Sequence, residues 1–308
     1  MQRFILVRCL QSVVTLFAAT IVVFLLGRVT GDPLDVLLPI EATAEDYERV
    51  RAHWGLDRPL WVQFFVFLGN ALRGNFGESL SFPGKTALDV VLGRLPATIE
   101  LAVLAIGIAT VIAVPIGVIA AVRRDSWVDH LGKLVALLGQ SLPSFWLAIM
   151  LIWVFSVHLG WLPTSGRGDL RHMILPAIAM GWFQVAAVMR LTRSAMLDAL
   201  DTEYVKLARI KGLPEWKIVW KHALRNAAIV PLTYYGVIVG ALLTGSVVAE
   251  TVFAWPGIGR LAVDAVRARD YTVVQTVVIV FVSIFILSNL LVDLLYAYLD
   301  PRIRYDRT

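Results

Sequence analysis

Residues 101–122 read LAVLAIGIATVIAVPIGVIAAV, twenty-two positions from Leu101 to Val122 without one ionisable side chain. A bilayer core of about 30 Å needs about 20 mostly apolar residues in helical form, so this stretch is long enough to cross. Five further runs of the same kind lie at Cys9 to Gly27, Leu134 to Leu159, Met173 to Met189, Ala227 to Ala249 and Thr272 to Val292. In lipid, every backbone N–H and C=O must be bonded inside its own segment, which leaves helix as the state of each run. The sequence therefore predicts an all-α integral membrane protein with six transmembrane helices.

Composition agrees. Of the 308 residues 58% are hydrophobic and 17% charged, against roughly 25% charged in a soluble domain, which argues against a water-soluble enzyme. The lone Cys9 leaves no disulfide framework. The five histidines, His53, His130, His158, His172 and His222, stand at least 14 residues apart, so no short-spaced metal pair exists.

The net charge of +5 becomes informative once it is sorted by side. With the N-terminus inside, segments 1–8, 123–133, 190–226 and 293–308 hold sixteen Lys and Arg against eight Asp and Glu, leaving Asp293 aside. The outer segments 28–100, 160–172 and 250–271 hold twelve cations against thirteen acids, leaving Glu100 aside. Cations are retained on the cytoplasmic side, so both termini are expected there. Arg3 and Arg8 before the first run resemble a signal peptide, but no small-x-small site follows Leu26, and the run reads as a retained span. Residues 1–27 then form an N-terminal transmembrane helix and 28–100 an extracytoplasmic insertion with short helices. A five-helix core at 101–300 includes the cytoplasmic loop 190–226, and 301–308 form a cytoplasmic tail.

Within the insertion, Thr43 and Asp46 make a near-capping box before a helix from Tyr47 to His53, which Gly55 ends. Leu60 to Leu72 is apolar but only thirteen residues, about 20 Å as helix, too short to cross. It reads as an interfacial or externally packed helix started by Pro59. Gly84-Lys85-Thr86 follows Gly77 in a way that suggests a phosphate loop, but six residues separate the glycines where the nucleotide pattern needs four. Energy must then come from a partner.

The loop 190–226 is the most informative segment. Asp201 or Thr202 can cap a helix, Glu203 places an acid in its first turn, and Gly212 supplies a left-handed stop after Lys206, Arg209 and Lys211. Tyr204, Leu207, Ala208 and Lys211 follow helical spacing and share one face. After Gly212-Leu213-Pro214, a second amphipathic helix puts Trp216, Val219, Trp220, Ala223 and Leu224 on one side and Lys217, Lys221 and Arg225 on another. Periodicity alone fits both a helix lying on headgroups and insertion into another protein's groove.

This segment resembles the cytoplasmic coupling loop of ATP-binding-cassette importer permease subunits, in the branch for peptides and nickel. The matching residues are Glu203, Tyr204, Val205, Ala208, Lys211, Gly212, Leu213, His222, Leu224, Arg225, Asn226 and Ala227. Further matches run in order along almost the whole chain. They are Gly31-Asp32-Pro33, Leu56-Asp57-Arg58-Pro59-Leu60, Arg94-Leu95-Pro96-Ala97-Thr98, Trp161-Leu162-Pro163-Thr164, Gly245-Ser246-Val247, Glu250 to Gly257 and Asp300 to Tyr305. Lys206 and Leu207 stand where the wider superfamily often has Glu and Ala, as the peptide-branch form does. The resemblance implies a type I importer permease fold in a prokaryotic inner membrane. It implies a second homologous permease, two cytoplasmic ATPases carrying ATP and Mg, and an extracytoplasmic binding protein, with no cofactor on this chain. Glu203, Tyr204, Leu207, Ala208, Lys211, Gly212 and Leu213 would couple to an ATPase. The cargo would be di- or oligopeptide or glutathione-like, with nickel or another small solute as the alternative within the branch.

Two clusters are candidates for lining a path. Gly139 to Ser144 breaks the third run with Gln140, Ser141, Pro143 and Ser144; broken helices at membrane depth are tolerated where they face a cavity, although the serines could simply repair the backbone. Thr244, Gly245 and Ser246 in the fifth run could line the path or serve close packing. Glu100 and Asp293 lie near interfaces and read first as pairing or capping groups. A secondary transporter would need paired intramembrane charges or inverted repeats. An intramembrane enzyme would need a base near Ser141 or Ser144. The sequence offers neither.

Overall fold

A computed structural model describes residues 2–29, 43–53 and 55–299. The Gly31-Asp32-Pro33 and Asp300 to Tyr305 matches fall outside the described residues, as do the side chains of Asp46, His53, Thr244 and Asp293. The described chain is helical throughout, with one isolated antiparallel bridge between Glu78 and Thr86. Its α-helices are α1 (Gln2–Val29), α2 (Ala44–His53), α3 (Leu60–Ala71), α4 (Ala87–Val122), α5 (Trp127–Ser141), α6 (Ser144–Leu151), α7 (Leu170–Leu200), α8 (Glu203–Ile210), α9 (Glu215–Lys217), α10 (Leu224–Ala227), α11 (Ile229–Val252), α12 (Ile258–Arg267) and α13 (Tyr271–Leu299). π-helical turns at Ile152–His158 and Ile218–Ala223 continue α6 and α9. Stretches of α1, α4, α7 and α13 are each long and apolar enough to cross a membrane. The bent pair α5 and α6 passes the same test when its halves are taken together, as a broken span or a re-entrant loop. The fifth apolar run lies in the 24-residue α11.

The third span is not the straight or gently kinked helix that its 26 apolar residues suggest. Its two halves, Trp127–Ser141 and Ser144–His158, meet at 105°. Proline at 143 has no N–H to continue the ladder and forces the preceding Leu142 out of the helical region (φ −82°, ψ 126°). Ser141 Oγ donates to the carbonyl of Leu137, 2.9 Å away, one turn back in its own helix.

Contacts divide the chain into two compact units, residues 1–96 with 257–308 and residues 97–256. In the first, α13 packs along α1 and α3 lays its aromatic face on α1, with Phe64 edge-on to Phe17 and Phe24 at 5.8 and 5.5 Å. Thr86 caps α4, accepting from the Asp89 amide and donating to its carboxylate, so the glycine-lysine-threonine stretch is a capped helix start. Asp270, fully buried between α12 and α13, accepts from Ser79 Oγ at 2.6 Å, Ser81 N at 2.9 Å and Val273 N at 3.2 Å. Burial pushes its carboxyl up, but these donors outweigh burial and hold it below the usual range.

The second unit is built around α7. Ala105, Ala109 and Ala113 repeat at one turn's spacing on α4 and are fully buried. A Cβ at Gly181 would stand 2.8 Å from the Ala105 carbonyl oxygen, and one at Gly117 would stand 2.8 Å from that of Met189. Lipid offers no hydrophobic drive between helices, so small residues that admit close backbone approach hold such pairs together.

Gly181→Val is expected to cost about 1–3 kcal/mol, read as a lower unfolding midpoint of the detergent-solubilised chain. Asp270→Asn is expected to cost about 1–3 kcal/mol. Because the folded carboxyl titrates below its unfolded value, the wild-type advantage should be complete above about pH 5 and shrink as the pH falls below about 4.

Candidate functional site

The loop 201–227 folds as two short helical pieces hinged at Gly212. Helix α8 follows Thr202, whose extended backbone starts it, while Thr202 Oγ1 turns back to the carbonyl of Ala199. At its end Gly212 N donates to Arg209 O at 2.9 Å and Leu213 N to Ala208 O at 3.3 Å, with Gly212 at φ +75°. This is the paired-bond stop that a left-handed residue permits. Arg209 then bridges the turn to Glu215, 2.8 Å away.

The buried face of α8 differs from the one that spacing suggests. Val205 and Ala208 turn inward, packing in one core with Met196, Ile218, Val219 and Ala223. Ala208, 9% exposed, therefore serves this chain's own core and is not on the open surface. The open stripe is Tyr204, Leu207 (51% exposed) and Ile210 (81% exposed), with Lys211 beside it. At about 100° per residue Ile210 lies about 60° from Leu207 on the side away from Lys211, so it extends the stripe beyond the face that the sequence reading grouped. Trp216 and Trp220 are also exposed, and Ile218 takes the inward position. The π-turn at Ile218–Ala223 inserts an extra residue per turn and shifts the phase that a regular 3.6 repeat assumes. Asn226 Nδ2 donates to Tyr204 Oη at 2.8 Å, tying the two pieces together.

Beneath this loop sits a charge cluster that the sequence gives no means to pair. Asp129 on α5 is fully buried. Arg193 on α7 donates to it twice, through Nε at 2.6 Å and Nη2 at 2.7 Å, and Lys133 Nζ adds a third contact at 3.0 Å. Asp129 is 64 residues from Arg193, and nothing local marks the partner.

Where the third span breaks, a cavity of about 640 Å³ opens between its halves, α7 and α11. Gln140 and Ser144 line it together with Trp182 and Gln184 of α7. The other path candidates are elsewhere: Ser141 is exposed and bonded to its own helix, Ser246 is buried and bonded to Leu243 O, and the Thr244 side chain lies outside the described residues. Gln184 was legible only as a single amide inside the apolar run Met173–Met189.

At the outer end of this unit, the Glu250 to Gly257 match folds as a helix stop. Ala254 sits at φ +50° and Trp255 N returns to Glu250 O at 2.8 Å. The buried Trp255 indole donates to Ala97 O at 2.9 Å, and Thr98 Oγ1 donates to the buried Glu250 at 2.6 Å. Arg167 makes a two-pronged pair with Glu100 at 2.6 and 2.8 Å.

Several crossing helices with a short, sharply stopped amphipathic helix on the cation-rich side define a multi-pass membrane permease. The chain belongs to the family of binding-protein-dependent transport system inner membrane components, whose model matches residues 113–305, while the N-terminal model of the same systems matches residues 1–102. It is 42% identical to the glutathione transport system permease protein GsiC of Escherichia coli K12 over 306 residues, covering 99% of this chain and all of that one. It is 37% identical to the dipeptide transport system permease protein DppB of Alkalihalophilus pseudofirmus, covering 97% and 98%.

Arg193→Met leaves Asp129 buried without its main partner and should cost about 3–5 kcal/mol, read as a lower unfolding midpoint. The double variant Asp129→Leu with Arg193→Met should recover most of that loss.

Proposed function

We propose that this chain is one permease half of an ATP-driven importer whose cargo is a peptide of the di-, oligo- or glutathione-like class. A second homologous permease completes the path, two cytoplasmic ATPases hold ATP and Mg, and an extracytoplasmic protein delivers cargo. The observation that carries the reading is the open stripe Tyr204, Leu207 and Ile210 on a helix whose opposite face is anchored in the chain's own core. A large apolar side chain such as Ile210 at 81% exposure has a reason to be there when a partner groove covers it. The names of the glutathione and dipeptide relatives support the cargo class. Closing of the ATPase pair would push on α8, and α8 would move α7 and α5 through the shared core and the Asp129 cluster, alternating access between the two sides.

Ile210→Asp is expected to reduce co-purification of the ATPase subunits at least tenfold, while the permease pair stays in the membrane. Gly212 has open space around a Cβ but a left-handed backbone, so chain geometry is the whole of its requirement. Gly212→Val should cut uptake more than tenfold while ATP hydrolysis continues, and Gly212→Asn, which tolerates that backbone, should stay near wild type. Normal uptake by Gly212→Val would overturn the coupling role of this turn.

A further inference from the structure

The cavity at the broken span is lined by one polar group without a described partner, Trp182 Nε1, and one, the Gln184 amide, with a single long contact. Gln184 is 4% exposed. Its one described contact is a long one, Tyr234 Oη donating to Oε1 at 3.5 Å, although a side-chain amide offers two donors and an acceptor. Beside it, Trp182 Nε1 is buried with no hydrogen-bond partner among the described residues. The absence of a side chain at Gly139 makes room for that indole, since a Cβ there would stand 3.2 Å from Nε1. A buried polar group left unbonded costs about 1–3 kcal/mol, so the unpartnered indole N–H, beside an amide with one long contact, points to an occupant that supplies the missing bonds.

The chemistry of the wall selects that occupant. Among the described residues no Asp, Glu, Lys, Arg, His or Cys lines the cavity, which disfavours a metal ion and a cargo terminus bearing full charge. The polar groups are amides, a hydroxyl and an indole N–H, set among Leu142, Leu147 and Phe183. A neutral peptide group fits them: its carbonyl accepts from Trp182 Nε1–H, and its N–H and C=O pair with the Gln184 amide. The volume of about 640 Å³ lies within the roughly 300–1,000 Å³ range of small-ligand sites.

Resting on the peptide-importer reading above, we propose that this cavity is a subsite for an internal peptide group of the cargo during passage, with Gln184 and Trp182 as its reading residues and Gln140 and Ser144 on its facing wall.

The test uses the assembled transporter in proteoliposomes with its binding protein, and two labelled probes, glutathione and trialanine. The quantity read is peptide accumulated per ATP hydrolysed. Gln184→Leu and Trp182→Phe should each lower that ratio at least fivefold for the probe that wild type transports, while binding-protein-stimulated ATP hydrolysis stays within twofold, which also shows that the variants are folded and coupled. A direct readout accompanies it: in a Cys9→Ser background, Ser144→Cys should react with a bromoacetylated dipeptide at least fivefold faster during turnover than at rest, and excess unlabelled probe should slow that reaction. If both variants keep the wild-type ratio and the probe gives no protection, the two polar groups serve bound water only and the subsite is wrong, with the importer reading intact. If wild type accumulates neither probe, the peptide reading falls and takes the subsite with it.

Discussion

The second unit depends on the close approach of α4 and α7. Lipid supplies no force that squeezes helices together, so this pair is held by what it can bring into contact, and glycine at 117 and 181 brings backbone against backbone. The alanine stripe at 105, 109 and 113 continues the same flat face. A flat, small-residue face fixes the position of α7, and α7 carries the rest. Trp182 and Gln184 stand at its middle, Arg193 near its inner end, and two residues after Leu200 the chain enters the cap of α8. The cavity and the helix that would meet an ATPase are thus mounted on one rod, which makes motion at one end mechanically available at the other.

Much of this was legible from the sequence wherever a single residue decides the outcome. Pro143 forbids a continuous ladder, Gly212 permits a left-handed stop, Pro59 and Gly55 bound the outer helices, and the apolar runs announce the spans. Reading failed where the outcome depends on phase or on distant partners. The π-turn at Ile218–Ala223 moved Trp216 and Trp220 outward against a regular repeat, and Ala208 turned inward because Val205 pulls that face into the core. Asp129 and Arg193 meet across 64 residues, and neither carries a local sign of the other. Gln184 hid inside a run whose apolar neighbours dominated the average. The angle at Pro143 is tertiary too, since proline breaks a helix without setting how far its halves turn.

The outer cluster shows how one motif can combine several small requirements. Ala254 in a left-handed conformation ends α11 abruptly, and the sharp turn tucks Trp255 inward so that its indole reaches the carbonyl of Ala97. Thr98, next in sequence, satisfies the buried Glu250. Arg167 pairs with Glu100 and lies 5.8 Å from the centroid of the Trp255 ring. Each contact is modest alone, and exposed pairs such as Arg167 with Glu100 contribute about 0–1 kcal/mol. Their common effect is geometric: they fix where the outer ends of α4 and α11 stand.

The turn after α8 demands something of Gly212 other than small size. A Cβ placed there would meet no atom within 4 Å, yet the backbone sits at φ +75°. The restriction is therefore one of handedness, and a residue of inverted stereochemistry would satisfy it as fully as glycine does. A chemically synthesised loop with D-alanine at this position would keep the stop while giving the unfolded chain fewer conformations to lose, so the hinge beside the open stripe would become stiffer without any new contact being made.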